Sequence, residues 1–276
     1  MVNRLRFSWS ALPVLALAVI TLLFFIFPIL ALIIRAIEAE AWTKFNSEAI
    51  ADALALSTIT TLICILITLV FGTALAYALV KYQFPLKRII SVFIELPIVL
   101  PPAVAGLGLL ILYGRNGFLG QALGSMGITI TSTTTAVILA QVFVAAPFYV
   151  RAAQIGFRSI PKSIEEAAFV DGASRLTSFW YITLPLAAPT LAAGLVLTWA
   201  RAVGEFGATA LFAGSLQGHT QTMPLLIYNI FGRDIDAAIW TGILLIIFAF
   251  FALLCSQWLA RLAARDRDFE TVAELE

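Results

Sequence analysis

Arg201 and Glu205 stand four residues apart inside a long apolar run, where side chains with chemistry are rare. That spacing lets an acid and a base pair along one helix face. Charges at membrane depth are costly and usually line an interior or a path. The chemistry open to such a pair is gating or electrostatic guidance of something that crosses. A second group lies in EEAAFVDGASRLTSFWYITLP, residues 165–185, a patterned polar stretch between runs that carry no charge. Catalytic sets are missing. There is no H-E-x-x-H, no Ser-His set, and one histidine, His219, which stands alone in a loop. No G-x-x-x-x-G-K-[ST] occurs, and no Gly-Lys pair of any kind, so any ATP that drives this chain is bound by another polypeptide. Cys64 and Cys255 both sit in apolar runs and read as packing residues, with no metal set around them.

The elements that must position these residues follow from composition. Of 276 residues, 61% are hydrophobic and 12% charged, against roughly a quarter charged in soluble domains. This is an integral membrane protein, with lipid as its main surroundings. It has no basic tract for nucleic acid. A helix crossing ~30 Å of hydrocarbon needs about 20 apolar residues. Long apolar runs predict six such helices, at about 10–34, 54–80, 90–113, 134–151, 184–210 and 238–260, the third interrupted by Glu95 and the fifth continuing past Arg201 and Glu205. Arg4 and Arg6 precede the first, but its 28 uncharged residues are long for a cleaved leader, so it reads as a retained span. Pro97, Pro101 and Pro102 predict a bend or break in the third. The stretch GFLGQALGSMGITITSTTT reads as a loop. Gly204 and Gly207 permit close helix contact in the fifth. The expectation is a single all-α membrane domain.

Six crossings put both termini on one side. With the N-terminus cytoplasmic, 12 of the 17 Lys and Arg residues fall inside, 4 outside and Arg201 within a span. That bias satisfies the positive-inside rule. Residues 152–183 are then the longest cytoplasmic loop. Ser159 and Pro161 suit a helix start, and Glu165 and Glu166 fit its positive end. Gly172 suits a left-handed stop, and Ser174 can cap a second helix. Ile164, Ala167, Ala168 and Asp171 share one low-profile face, suited to another protein's groove. An amphipathic elbow lying on the membrane fits the same pattern.

The pattern Glu166-Ala167-Ala168, two residues, Asp171-Gly172-Ala173, then Ile182-x-Leu184-Pro185 resembles the cytoplasmic loop signature of bacterial ATP-binding-cassette importer permeases. The resemblance covers about residues 54 to 260. It implies that Glu165, Glu166, Ala167, Ala168, Asp171, Gly172 and Ala173 form a short coupling helix that docks into a separate ATPase. That ATPase would hold ATP and Mg, and this chain would hold no cofactor. Three further stretches are similar to permeases for tetrahedral oxyanions: Leu96–Ala103 with GRNGFLG, then ARAVGEFGAT, then TQTMPLLIY. GEFGA is shared by sulfate and molybdate permeases, and the other two look closer to molybdate or tungstate. The span interiors offer too few charges for a tight oxyanion site, so selectivity is expected in an extracytoplasmic oxyanion-binding protein. Thr220, Gln221 and Thr222 lie outside, where it would dock or where a plain surface loop would sit. Arg201 and Glu205 read as a pathway pair or a structural ion pair, Gly204 and Gly207 as a gate constriction or plain packing, and Pro101 and Pro102 as a hinge or a static kink. A second copy would complete a homodimer in the cytoplasmic (inner) membrane. A heterodimeric sulfate permease, or a transporter driven by an ion gradient, is the alternative.

Overall fold

Backbone amides in hydrocarbon must be satisfied within their own segment. A computed structural model describes residues 12–44 and 46–273, with side chains through residue 254, and the regular elements among them are helices alone. They are α1 (Leu12–Glu38), α2 (Ser47–Lys81), α3 (Lys87–Val99), α4 (Pro102–Tyr113), α5 (Gly120–Ser125) and α6 (Thr134–Arg158). Then follow α7 (Lys162–Val170), α8 (Arg175–Val203), α9 (Gly207–Phe212), α10 (Met223–Phe231) and α11 (Ile235–Ala273). Five are long and apolar enough to cross a membrane, and α3 and α4, bent at a short break, pass the same test only as a pair.

Helices overlie each of the six expected runs, the third as two pieces, but their ends differ. Apolar runs mark what touches lipid, whereas capping groups mark where helices stop. The Asn46 side chain accepts from the amides of Glu48 and Ala49, so α2 starts seven residues before the expected 54. Thr133 caps α6 in the same way. That helix runs on to Arg158, because Arg151 needs no loop: its guanidinium meets Glu95 at 2.9 Å. Ser159 therefore ends α6 rather than starting the next helix, with its hydroxyl donating to the carbonyl of Gly156. The fifth span starts at Arg175 instead of 184 and stops at Val203 instead of 210. The expected loop before α6 carries the short helix α5.

Leu100 closes α3 by donating to Leu96, and Pro101 and Pro102 have no N–H to continue the ladder. The chain turns by 117° and Pro102 opens α4. The pieces are ~20 and ~18 Å long, each too short to cross alone. They divide the length of α6 between them. Ile94 of α3 packs at the Tyr149–Phe157 end, and Ala105 and Leu109 of α4 pack at Ala136–Val144.

α6 is the axis of the bundle. Its faces meet α2, α3, α4, α8 and α9 through small residues that let backbones approach. A Cβ on Gly194 of α8 would lie 2.6 Å from that of Ala152, and one on Gly72 of α2 would lie 2.9 Å from the Tyr149 ring. Gly72 ends a π turn, Thr68–Gly72, and the Tyr149 hydroxyl bonds Thr73 just beyond it at 2.6 Å. α1 stands apart, with almost all its surface free of protein. Asp236 fastens its end, meeting Arg35 at 3.0 Å and Lys44 at 2.9 Å. Trp42 rests edge-on against Trp240 beside them.

Candidate functional site

α8 ends where its backbone can no longer be helical. Gly204 terminates it, Glu205 and Phe206 turn the chain, and α9 begins at Gly207. Arg201 and Glu205 do pair, Nη1 to Oε2, at 2.6 Å. They do so across a corner rather than along one continuous helix, which corrects the expected span through 210. The Glu205 side chain is 1% exposed and that of Arg201 27%. The other oxygen of Glu205, Oε1, accepts from the amide of Ala208 at 2.8 Å, which gives a partner to an orphan N–H in the first turn of α9. The carboxylate therefore ties the last turn of α8 to the first turn of α9.

α9 lies against α4 almost backbone to backbone. A Cβ on Gly207 would come within 2.9 Å of Pro102 Cβ, and one on Gly106 within 2.7 Å of the Ala208 carbonyl oxygen. The proline break and the Gly-Glu-Phe corner are thus one junction, which brings together Arg201, Glu205, Gly207 and Pro102. Pro101 borders it as an exposed residue before α4. Gly204 stands in the turn but packs against nothing closely, since a Cβ there would meet only Ala200 O at 3.6 Å.

Two members of this junction carry no charge and went unseen in the sequence. Gly106 is one, and the small-residue run Ala103–Gly108 was its available signal. Gln141 is the other. It is buried in α6, with its amide donating to Thr61 of α2 at 3.3 Å and to the carbonyl of Ala202 at 3.2 Å. That carbonyl also accepts from Glu205 N–H at 3.2 Å, so Gln141 gives the last turn of α8 a second bond and ties it to α6.

Thr220, Gln221 and Thr222 are buried, not presented at the surface. The Thr220 hydroxyl accepts from Leu216 N–H, and the Gln221 amide donates to Ser215. The triplet holds a folded turn, and the exposed tip is Leu216–His219. The Thr134 hydroxyl donates to the carbonyl of His219, fixing that tip to the start of α6.

The patterned polar stretch lies at the other end of α8. α7 is nine residues long and buries none of them. Gly172, at φ +86°, stops it in a Schellman arrangement: its N–H reaches Phe169 O, and Ala173 N–H reaches Ala168 O. Ser174 caps α8 by accepting from Thr177 N–H. Glu166, Ala167 and Asp171 are exposed, and Ala168 and Ala173 partly so. Glu165 differs. Its carboxylate meets Lys81 at 2.5 Å and accepts from the Thr183 hydroxyl at 2.9 Å. Val80, Lys81, Phe157, Arg158, Glu166 and Phe169 border an open pocket of about 390 Å³ beside that pair. Among the described residues no group of His, Cys, Asp or Glu is placed to hold a metal ion.

Five long apolar helices and a bent α3–α4 pair pack around one small-residue axis, with the bend set against a buried charged corner. The chain belongs to the family of binding-protein-dependent transport system inner membrane components, which it matches over residues 68–268. It is 38% identical over 256 residues to a probable transport system permease protein, NifC, of Clostridium pasteurianum, covering 92% of this chain and 88% of that one. It is 38% identical over 209 residues to the molybdenum transport system permease protein ModB of Escherichia coli K12, covering 74% and 90%. It is also 38% identical over 195 residues to the sulfate transport system permease protein CysW of Synechococcus elongatus, covering 71% and 68%. Its fold is similar to a chain of a bacterial ABC transporter involved in the import of alginate, with a TM-score of 0.73 at 20% identity over 92% of this chain and 95% of that one. The MetNI methionine ABC transporter matches with a TM-score of 0.59 at 19% identity over 78% and 94%.

Proposed function

We propose that this chain is the permease subunit of an ATP-binding-cassette importer for molybdate or tungstate. One observation carries the cargo assignment: a permease named for molybdenum transport shares 38% of residues across nearly all of its own length. The sulfate permease matches as strongly over a shorter share, so sulfate is the second reading.

In this reading the α7 end faces the cytoplasm, both termini with it, and Leu216–His219 faces the binding protein outside. That places the contact beside Thr220, Gln221 and Thr222 rather than on them. Two copies enclose the pathway. Each presents Glu166, Ala167, Ala168, Asp171 and Ala173 to an ATPase that binds ATP and Mg. ATPase closure moves α7 as a rigid body. Arg201 draws an anion toward the junction, while Glu205 cancels enough charge to keep the ion from being trapped, as conduction requires. Selectivity rests with the binding protein.

Uptake into proteoliposomes holding permease, ATPase and binding protein tests the cargo. Molybdate should enter only with ATP inside, and excess sulfate should leave its rate unchanged. Sulfate uptake matching that of molybdate would move the assignment to the second reading.

A further inference from the structure

We propose that Glu165 is a positioning residue that carries the movement of α7 into the membrane helices, and that it is not a contact for the ATPase. The proposal rests on the reading of α7 as the docking helix. Among the described residues of α7, Glu165 alone makes a side-chain hydrogen bond or ion pair to another helix. Lys81 Nζ lies 2.5 and 2.6 Å from its two carboxylate oxygens. Lys81 is the last residue of α2, and Thr183 is the last residue of the π turn Phe179–Thr183 in α8. One carboxylate thus grips two long membrane helices.

Its surroundings suit a strut. The side chains of Lys81 and Glu165 keep only 20% and 14% of their surface in solvent, so water screens the pair weakly and the charge-assisted bonds are strong. One turn before Lys81, the Tyr77 ring meets Phe157 of α6 at 5.6 Å and Phe179 of α8 at 4.9 Å, both edge-on. That floor makes the ends of α2, α6 and α8 one rigid base. Both carboxylate oxygens already have partners within the chain, Oε1 with Lys81 and Thr183 and Oε2 with Lys81, which leaves little to offer a partner. Glu166, the next residue, is exposed and free to do so. From Thr183, α8 runs unbroken to Val203, so the strut and the Arg201–Glu205 corner stand at opposite ends of one rod, ~27 Å apart at ~1.5 Å per residue.

The test is the number of molybdate ions taken up per ATP hydrolysed, in proteoliposomes holding the full complex. Glu165→Ala should co-purify with the ATPase and hydrolyse ATP, while uptake per ATP falls on the order of tenfold, a typical loss of coupling. The charge exchange Lys81→Glu with Glu165→Lys should recover much of that ratio, whereas a merely structural role would show as lost accumulation with the ratio unchanged. Thr183→Val removes one bond at nearly constant volume and should lower the ratio in the same direction, even if Glu165→Ala does not accumulate. An unchanged ratio in the variants, or loss of the ATPase from Glu165→Ala, overturns the proposal. A wild-type complex with no ATP-dependent uptake of molybdate or sulfate would instead overturn the functional reading beneath it.

Discussion

Arg201→Ala should cost more stability than its surface exposure suggests, because it strands a buried acid. Arg201 meets Glu205 at 2.6 Å, and the carboxylate has 1% of its surface open. Charge centres about 4 Å apart attract by about 4 kcal/mol at an effective dielectric near 20. Arg201 keeps 27% of its side chain in contact with the surroundings, so screening trims this to about 2–3 kcal/mol. Losing one partner of a fully buried pair costs about 3–5 kcal/mol, and this half-open corner belongs just below that range. In Arg201→Ala the one partner left to the Glu205 carboxylate among the described residues is the Ala208 amide. Adding Glu205→Gln removes the stranded charge and keeps an oxygen for that amide, so the double variant should regain about half of the loss. Reversible unfolding in mixed detergent micelles reads Arg201→Ala, Glu205→Gln and the double variant, with Trp199, two residues from Arg201, as a local fluorophore. An Arg201→Ala variant as stable as wild type, or losses that simply add in the double variant, would refute the buried-charge argument. Uptake should be abolished by Arg201→Ala while ATPase binding persists, and normal uptake would remove Arg201 from the pathway.

At Gly106, alanine would drive a methyl to 2.7 Å from the Ala208 carbonyl, where only backbone can yield. Overpacking of this kind costs about 1–3 kcal/mol, so Gly106→Ala should lower both melting temperature and uptake, whereas Gly108→Ala, which meets nothing within 4 Å, should change neither. Gly172→Ala meets no neighbour but must hold φ +86°, at about 1–2 kcal/mol for a left-handed residue. ATPase binding should weaken while the melting temperature of the membrane bundle stays constant.

Apolar runs coincide with long helices, because hydrocarbon tolerates little else. They misplaced the ends, since Asn46, Thr133 and the Arg151–Glu95 pair extend helices past the lipid. Prolines at 101 and 102 announced the broken third span, though a 117° turn lies beyond what composition specifies. The Arg201–Glu205 spacing was legible as a pair and misleading as a helix, because a helix and a tight corner both bring residues four apart together. Thr220–Thr222 looked like an exposed polar loop. Their partners, Leu216 N–H and Ser215, are local turn contacts that no polarity count reveals. The inward role of Glu165 depends on Lys81, 84 residues away, and a single sequence carries no trace of that pairing.

The π turns in α2 and α8 also set a rotational phase. A π turn lodges one residue more than an α turn, and each residue of an α-helix advances the face by about 100°. Phe179–Thr183 therefore acts as an angular offset between the base of α8 and its tip. Deleting one residue there would leave length and hydrophobicity nearly intact, yet swing Arg201 by about a quarter turn relative to the first turn of α8, Arg175–Ser178. The two ends of α8 are matched like the bits of a key cut at a fixed angle to its bow.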